Sequence, residues 1–171
     1  MIRKTGIILL TSVLSAIILS CTISYKFNGA SIDYNVTKTI SIANFPIRAS
    51  LVYPPLAAVF NNALQDIYTR QTRLSIVPRN GDLQVEGEIT GYSLSPQAVK
   101  ADAYASQTRL TITVRVKYTD TKNPKFNIDQ TFSAYRDFDS SLMLNQVQDE
   151  LISEISAELA ELIFNATVAN W

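Results

Sequence analysis

Residues 108–118 have the sequence TRLTITVRVKY, and this stretch decides the fold class. Apolar and polar side chains alternate through it without a break, which predicts a β-strand with one buried face and one face in water. The apolar side chains, expected to face the core, belong to Leu110, Ile112, Val114, Val116 and Tyr118. The polar side chains of the opposite face belong to Arg109, Thr111, Thr113, Arg115 and Lys117. Such a strand is typical of a mostly antiparallel sheet that is covered on one face only.

Further strands are indicated on both sides of this stretch. Residues 83–89 alternate in the same way, and Gly87 and Gly91 suggest a bulge or a close backbone approach there. Residues 93–106, interrupted by Pro96, are predicted to form a loop. Beyond a turn after Tyr118, a last strand is marked by Phe126, Ile128 and Phe132.

Two shorter strands are predicted nearer the start of the domain. Residues 37–42 alternate, and residues 74–77 form a second short strand. The first of these, the helix that follows it and the second are compatible with a parallel crossover. Residues 78–82 then form a turn, and Asn80-Gly81 within it is a strong hairpin signal. We therefore expect an antiparallel hairpin between residues 74–77 and 83–89.

Two amphipathic helices complete the pattern. Pro54 and Pro55 open the first, and the second begins between Ser140 and Gln146, with Asn145 as its candidate cap. The apolar stripe of the first helix is Leu56, Val59, Phe60, Ala63, Leu64, Ile67 and Tyr68. That of the second is Val147, Leu151, Ile155, Leu159, Leu162, Ile163 and Ala166. The predicted fold is an α+β two-layer sandwich, with two helices on one face of a four- to five-stranded mixed, mostly antiparallel sheet.

The start of the chain has the order of a secretory signal peptide. Arg3 and Lys4 supply a positive start, and residues 6–20 are uncharged and mostly apolar. Ile18, Leu19 and Ser20 then precede the only cysteine of the chain. Alternative interpretations are a buried thiol after an ordinary signal, or a short membrane anchor.

We therefore predict a lipoprotein whose mature chain begins at an acylated Cys21. Residues 1–20 are the predicted signal peptide, residues 21–36 the acylated cysteine and its tether, and residues 37–171 a single domain. The residues after Cys21 include no early acidic group, and in lipoprotein sorting this is typical of the outer membrane. The periplasmic leaflet is the expected site of the anchor.

Composition argues against catalysis and against nucleic-acid binding. The chain has 15 basic residues; without Arg3 and Lys4 of the signal, 13 remain against 15 acidic ones. Histidine is absent, the single cysteine is predicted to be acylated, and no nucleophile elbow, P-loop or zinc motif is present. Asp137 and Asp139 alone are a weak metal signal. We expect no enzymatic activity and no cofactor apart from the lipid on Cys21.

Several segments give the chain a resemblance to a known family. They are residues 25–30 (YKFNGA), 38–42 (KTISI), 54–56 (PPL), 87–92 (GEITGY), 109–114 (RLTITV) and 163–165 (IFN). Together with the cysteine context and the order of elements, they make the chain similar to LptE, the lipopolysaccharide-assembly lipoproteins, in a divergent form. The resemblance implies a two-layer α/β sandwich that plugs the LptD outer-membrane β-barrel, helps it assemble and supports delivery of lipopolysaccharide to the outer leaflet.

An uneven charge distribution suggests where an anionic glycolipid would bind. Residues 97–136 carry seven basic and three acidic groups, whereas residues 137–171 carry seven acidic groups and no basic one. Basic side chains grip phosphate and carboxylate groups. The candidate glycolipid-binding residues are Arg79, Arg109, Arg115, Lys117, Lys122 and Lys125. The alternative is that this strand face is simply solvated, or that it contacts the wall of the barrel.

Two other functions remain compatible with the sequence. One is a periplasmic lipid carrier, which would need a cavity between helices and sheet. The other is a structural lipoprotein of a different envelope machine, which composition cannot distinguish from an LptE protein. The row of glutamates in the second helix, Glu150 to Glu161, is expected to be an ordinary solvated face.

Overall fold

Five strands form one sheet, and two helices cover one of its faces. The computed structural model of the chain describes residues 32–97 and 107–169. The strands are β1 (Thr39–Ile42), β2 (Ser75–Ile76), β3 (Leu83–Gln97), β4 (Gln107–Asp120) and β5 (Ile128–Asp139), in the spatial order β2-β1-β3-β4-β5. The helices are α1 (Pro54–Gln71) and α2 (Leu144–Thr167), and a 3-10 turn spans Pro124–Phe126. The predicted α+β two-layer sandwich is confirmed.

The long antiparallel part of the sheet is built by β3, β4 and β5. Strand β4 pairs along its length with β3, and its register with β5 runs unbroken from Gln107 opposite Asp139 to Tyr118 opposite Ile128. The register of β3 shifts between Ile89 and Gly91, which confirms the predicted bulge. The predicted loop at residues 93–106 is wrong in its first part, because β3 continues to Gln97. Pro96 is tolerated there because the described residues offer β3 no second partner beyond Ile89.

The hairpin predicted at Asn80-Gly81 is also wrong. Strand β1 lies between β2 and β3 and is parallel to both, so the segment that joins β2 to β3 must cross β1. It does so closely: a Cβ on Gly81 would lie 2.5 Å from the Ser41 nitrogen and 2.7 Å from the Ile40 carbonyl carbon. Asn80 adopts a left-handed φ of 56°. The Asn-Gly pair therefore provides a tight crossing over a strand instead of a two-residue turn. The parallel pairing of β1 with β2 agrees with the predicted crossover.

The core lies between the helices and the sheet. Leu110, Ile112, Val114 and Val116 of β4 are fully buried, as predicted from their alternation. Phe60 and Leu64 of α1 and Ile155 and Leu159 of α2 are also fully buried and belong to the same cluster. Full burial of such side chains contributes roughly 1.5–3 kcal/mol each. The two helices meet through Tyr68 and Phe164, whose rings are 5.3 Å apart edge-on, and the Tyr68 hydroxyl lies 2.6 Å from that of Thr167.

Two details of α2 differ from the prediction. Asn145 does not cap the helix; the cap is Met143, whose backbone N–H donates to the side-chain oxygen of Gln146 at 3.0 Å. Leu162 was expected in the buried stripe, but 39% of it is exposed. Ile152, which was not expected in the stripe, is buried instead.

Candidate functional site

Within the described residues no helix covers the second face of the sheet, and this open face holds three of the predicted binding residues. Arg109, Arg115 and Lys117 alternate with the buried residues of β4 and therefore share this open face. The neighbouring strands place four carboxylates on the same face: Glu86, Glu88, Asp129 and Asp137. Because β3 and β5 bring these acids beside the basic strand, the open face is not a basic surface.

Arg115 is held by a carboxylate of the adjacent strand. Its Nε and one terminal nitrogen donate to the two oxygens of Asp129, each at 2.9 Å. This two-pronged pair lowers the pKa of Asp129 and raises the pKa of Arg115. Both side chains are more than half exposed, so solvent screens their attraction. The pair mainly fixes the direction of the guanidinium.

Arg109 is held in the same way at the other end of β4. It donates to both oxygens of Asp137, at 2.7 and 2.8 Å, and the hydrogen bonds lower the pKa of that carboxyl. Its guanidinium also lies 3.6 Å from the centre of the Tyr135 ring, within cation–π range. An anionic ligand that used Arg109 would have to share it with Asp137.

Lys117 has a different environment. By register it stands between Glu86 on β3 and Asp129 on β5, yet among the described residues no carboxylate oxygen lies within 4.0 Å of its ammonium group. Lys117 lines a shallow depression on the open face together with Gly87 and Arg115. The carbonyl of Arg115 lies so close to Gly87 that a Cβ there would be 2.1 Å away. Lys117 is thus the basic group of this face best placed to accept a new partner.

Two further candidates, Lys122 and Lys125, lie in the connection from β4 to β5, and Asp82 links this connection to β1. The ammonium of Lys122 is 3.2 Å from one oxygen of Asp82. The other oxygen of Asp82 accepts hydrogen bonds from the backbone N–H groups of Lys38 and Thr39 and from the Thr39 hydroxyl. The Lys38 N–H is the largest reason why the pKa of Asp82 lies well below its ordinary value. Lys125 is exposed in the 3-10 turn.

Arg79 lies in the segment that crosses β1. It is exposed and lines a groove of about 580 Å³ between that segment and β3, together with Asn44 and Glu86. The groove is open to solvent on the same side of the sheet as the polar face of β4. Arg79 therefore lies near the β1 side of the open face, on the crossing segment rather than in the predicted hairpin turn.

The six candidates do not form one cluster. Arg109 is near the start of β4, and Lys122 and Lys125 follow its end. Lys117 is eight positions after Arg109, which corresponds to about 26 Å along a strand. The candidates therefore follow a line along the sheet, and a single phosphate group could contact only part of it.

The acidic helix is not wholly solvated, contrary to the expectation from sequence. Arg136 of β5 donates to Glu154 at 2.8 Å and also to Glu158. These hydrogen bonds raise the pKa of Arg136. The sequence offered no basic residue near the glutamates, but the sheet brings one from the preceding strand.

Cys21 lies outside the described residues, so its predicted acylation stays a prediction. Within residues 32–97 and 107–169, no helix is long and apolar enough to cross a membrane. The same residues contain no group of three or more potential metal ligands.

A match to a protein-family model shows which family the chain belongs to. The LptE model, described as lipopolysaccharide-assembly, matches residues 37–167, which is most of the chain. The chain belongs to the LptE family. The match begins just before β1 and ends with α2, so it covers every strand and helix described above. No curated protein matches the chain.

Solved structures agree on the fold. A minor lipoprotein from Acinetobacter baumannii is 18% identical with a TM-score of 0.50, over 75% of this chain and 90% of that one. A hypothetical protein from Chlamydia trachomatis is 10% identical with a TM-score of 0.54, over 78% of this chain and 99% of that one. At these identities, the similarity establishes the shared architecture alone.

The sequence pattern identified the basic candidates of the open face but not the acidic residues that pair with them. The open-face residues of β5 alternate around the buried Phe132 and Ala134, so their position on that face was present in the pattern. They are Asp129, Thr131, Ser133, Tyr135 and Asp137. What the pattern could not supply was the register between β4 and β5. That register places Asp137 opposite Arg109, and it sets Asp129 opposite Lys117 within reach of Arg115.

Proposed function

We propose that this LptE-family chain is an outer-membrane lipoprotein, anchored in the periplasmic leaflet through acylated Cys21. In this role it plugs an LptD-type β-barrel and helps that barrel to assemble. The pair then supports delivery of lipopolysaccharide to the outer leaflet. The proposal assigns the chain no catalytic step.

The family match carries this proposal, and the geometry of the sheet supports it. Large outer-membrane barrels have polar lumens. One face of this sheet is uncovered and polar, with hydroxyl groups such as Thr113 and Ser133, 3.1 Å apart, between the ion pairs. A face of this composition suits contact with a wet lumen wall or with sugars and phosphates.

The position of the first described residues is compatible with the anchor. Ile32 is eleven positions after Cys21, and a chain of that length spans at most about 40 Å. Ile32, Lys122 and the end of α2 lie at the same end of the sheet, since Ile32, Lys122 and Val168 line one groove of about 210 Å³. Anchoring would therefore keep this end of the domain within about 40 Å of the membrane.

We further propose that the basic groups of the open face and its turns contact the anionic part of the glycolipid. Lys117, Lys125 and Arg79 have no carboxylate within ion-pair distance among the described residues. Arg109 and Arg115 are held by aspartates that fix their direction. The remaining candidate, Lys122, would share its charge with Asp82.

The lipid-carrier alternative has less support. The side chains between helices and sheet, such as Ile112, Val114 and Ile155, are completely buried in one cluster. The grooves described above lie at the end of the sheet and on its open face. A carrier would need its space between the two layers, where these side chains fill it.

Co-purification tests the proposal. A C-terminally tagged chain, extracted gently from the outer membrane, should retain an LptD-type barrel identified by mass spectrometry. Cys21→Ala, which removes the anchor, should abolish acylation of the mature N-terminus. Recovery of a different envelope complex would assign the chain to another machine, and an unmodified Cys21 would remove the lipoprotein assignment.

A further inference from the structure

The free edges of the sheet differ in how well they are protected. Among the described residues, β2 is only two residues long, and the free part of β3 carries a bulge at Thr90 and a proline at position 96. Short strands, bulges and prolines all prevent another strand from pairing with an edge. Strand β5 has twelve residues with an unbroken register and contains no proline and no lysine. It is therefore the one long edge in this part of the chain without such devices.

The pairing pattern shows which backbone groups of β5 point outward. Ile89 of β3 donates to Pro46 and accepts from Arg48, so its backbone bonds point away from β4. Its partner Val114 must then bond toward β5, where it stands opposite Phe132. The alternate residues Thr131, Ser133 and Tyr135 consequently direct their N–H and C=O groups away from the sheet.

One side chain already uses part of this edge. The Arg136 guanidinium donates to the Tyr135 carbonyl at 2.9 Å and reaches over to the glutamates of α2. It covers one outward carbonyl and leaves residues 128–134 of the edge without a described partner. An added strand could therefore pair along this half of β5.

The exposed leucine of α2 lies above the same place. Glu158, one turn before Leu162, contacts Arg136 of β5, so Leu162 is on the flank of the helix that overhangs the edge. Because α2 runs back along β5, Leu162 lies about 6 Å beyond Glu158, toward Phe132 and Ala134. An additional strand beside β5 would cover Leu162, which is 39% exposed without one.

The charges around this edge define the partner. The overhanging helix α2 carries Asp149, Glu150, Glu154, Glu158 and Glu161 and no basic residue, and Arg136 of β5 pairs with two of these glutamates. Asp129 and Asp137 on the strand are already paired with Arg115 and Arg109, so the unbalanced negative charge beside the edge belongs to the helix. A second copy of this chain would bring the same carboxylates against these, so like charges would oppose self-pairing. A strand with arginine or lysine side chains would complement them.

We propose that the outer edge of β5 from residue 128 to residue 135 is a docking site for an extended basic strand of a partner protein. The strand bonds to the outward groups of Thr131 and Ser133, and on its face beneath α2 it places an apolar side chain on Leu162 and a basic side chain near Glu161. This inference does not depend on which barrel or envelope complex the chain belongs to.

A synthetic strand tests the site directly on the full mature domain. The probe is a fluorescein-labelled seven-residue peptide whose one face presents arginine, valine and arginine at alternate positions, with threonine at the positions between them. Its charge control has glutamate in place of the two arginines. We expect the arginine peptide to bind in fluorescence anisotropy at least tenfold more tightly than the glutamate peptide. Hydrogen–deuterium exchange should then slow at the amides of Thr131 and Ser133.

Matched variants separate the edge from nonspecific attraction. Ser133→Pro removes an outward N–H, and Leu162→Lys removes the apolar contact and adds a repelling charge; each should weaken the arginine peptide at least fivefold. Leu142→Lys, at a comparably exposed leucine away from the edge, should bind as the wild type does. Circular dichroism checks that each variant is folded. If Ser133→Pro does not fold, Leu162→Lys alone tests the site. Equal binding by Leu162→Lys and Leu142→Lys, absence of protection at β5, or dimerisation through β5 without peptide would each overturn the proposal.

Discussion

The two faces of β4 belong to the same fourteen residues, yet they have opposite environments. On the covered face, Val114 and its apolar neighbours are completely buried beneath the helices. On the open face, Arg109 and Arg115 are solvent-exposed in part and joined to aspartates of β5. Alternation alone determines which residue belongs to which face, but neighbouring strands determine what each residue meets there. The covered face therefore specifies the fold, and the open face is available for recognition.

The largest expected effect comes from placing a charge on the covered face. Val114→Asp would bury an unpaired carboxylate among Ile89, Phe132 and the helices, and we expect it to unfold the domain or to cost at least about 4 kcal/mol. Thr113→Asp, one residue away on the open face, should cost about 1 kcal/mol or less. Urea denaturation measures both. Similar losses in the two variants would mean that the faces are assigned incorrectly.

A smaller effect is expected at Gly81, where the segment between β2 and β3 crosses over β1. Gly81→Ala would place a Cβ 2.5 Å from the Ser41 nitrogen, so the crossing segment or β1 must move. We expect a loss of about 1–3 kcal/mol in the free energy of unfolding. Asn80→Gly, which relaxes a left-handed φ, is the control and should be neutral or slightly stabilising. An unchanged Gly81→Ala would contradict the tight crossing.

Asp82, which joins the β4–β5 connection to β1, should make the free energy of unfolding dependent on pH. Its pKa is lowered in the folded state, so its stabilisation is present above the unfolded value of about 3.9 and is lost as the pH falls through the folded pKa. Asp82→Asn should therefore cost on the order of 1 kcal/mol at pH 7, and the difference from wild type should shrink below pH 4. Urea unfolding at both pH values checks this. Asp66→Asn on α1 serves as the exposed control, and a difference that grows in acid would have the wrong sign.

The smallest effect on stability, and the clearest effect on binding, is expected on the open face. Replacing Arg109, Arg115 and Lys117 together by glutamine should leave the melting temperature within a few degrees of wild type. It should weaken lipopolysaccharide binding in vitro, more at low salt than at high salt. The control with the same change in charge has glutamine at Arg48, Arg70 and Arg73, which are exposed and are not on β4. Unchanged binding would remove this site, and loss of barrel co-purification would assign the face to the partner instead.

The sequence predicted the fold more completely than the site, for physical reasons. Alternation in β4 and the helical stripes depend only on local spacing, and they gave the two layers correctly. The hairpin predicted at Asn80-Gly81 was wrong because the pair's local conformational preference suits a two-residue turn. The position of β1 between β2 and β3 depends on long-range pairing, which local sequence does not show. Leu162 was expected to be buried because helical spacing cannot show that the sheet ends at β5.

The charges were harder to predict for a similar reason. Counting residues along the chain made 97–136 basic and 137–171 acidic, but the sheet mixes the two segments. Asp137 pairs with Arg109, and Arg136 pairs with Glu154. A charge sum over a stretch of sequence is informative for a helix or a tail; in a sheet, each strand shares its face with neighbours from elsewhere in the chain.

Photo-crosslinking in cells tests the central claim that the open face is the recognition surface. A photoreactive residue at Thr113, in the middle of that face, should form an adduct with an LptD-type barrel or with lipopolysaccharide on irradiation. The comparison position is Asn62, which is exposed on α1. We predict a strong Thr113 adduct and a weaker or absent adduct at Asn62. The account would be contradicted if the Asn62 variant formed adducts and the Thr113 variant, although folded, formed none.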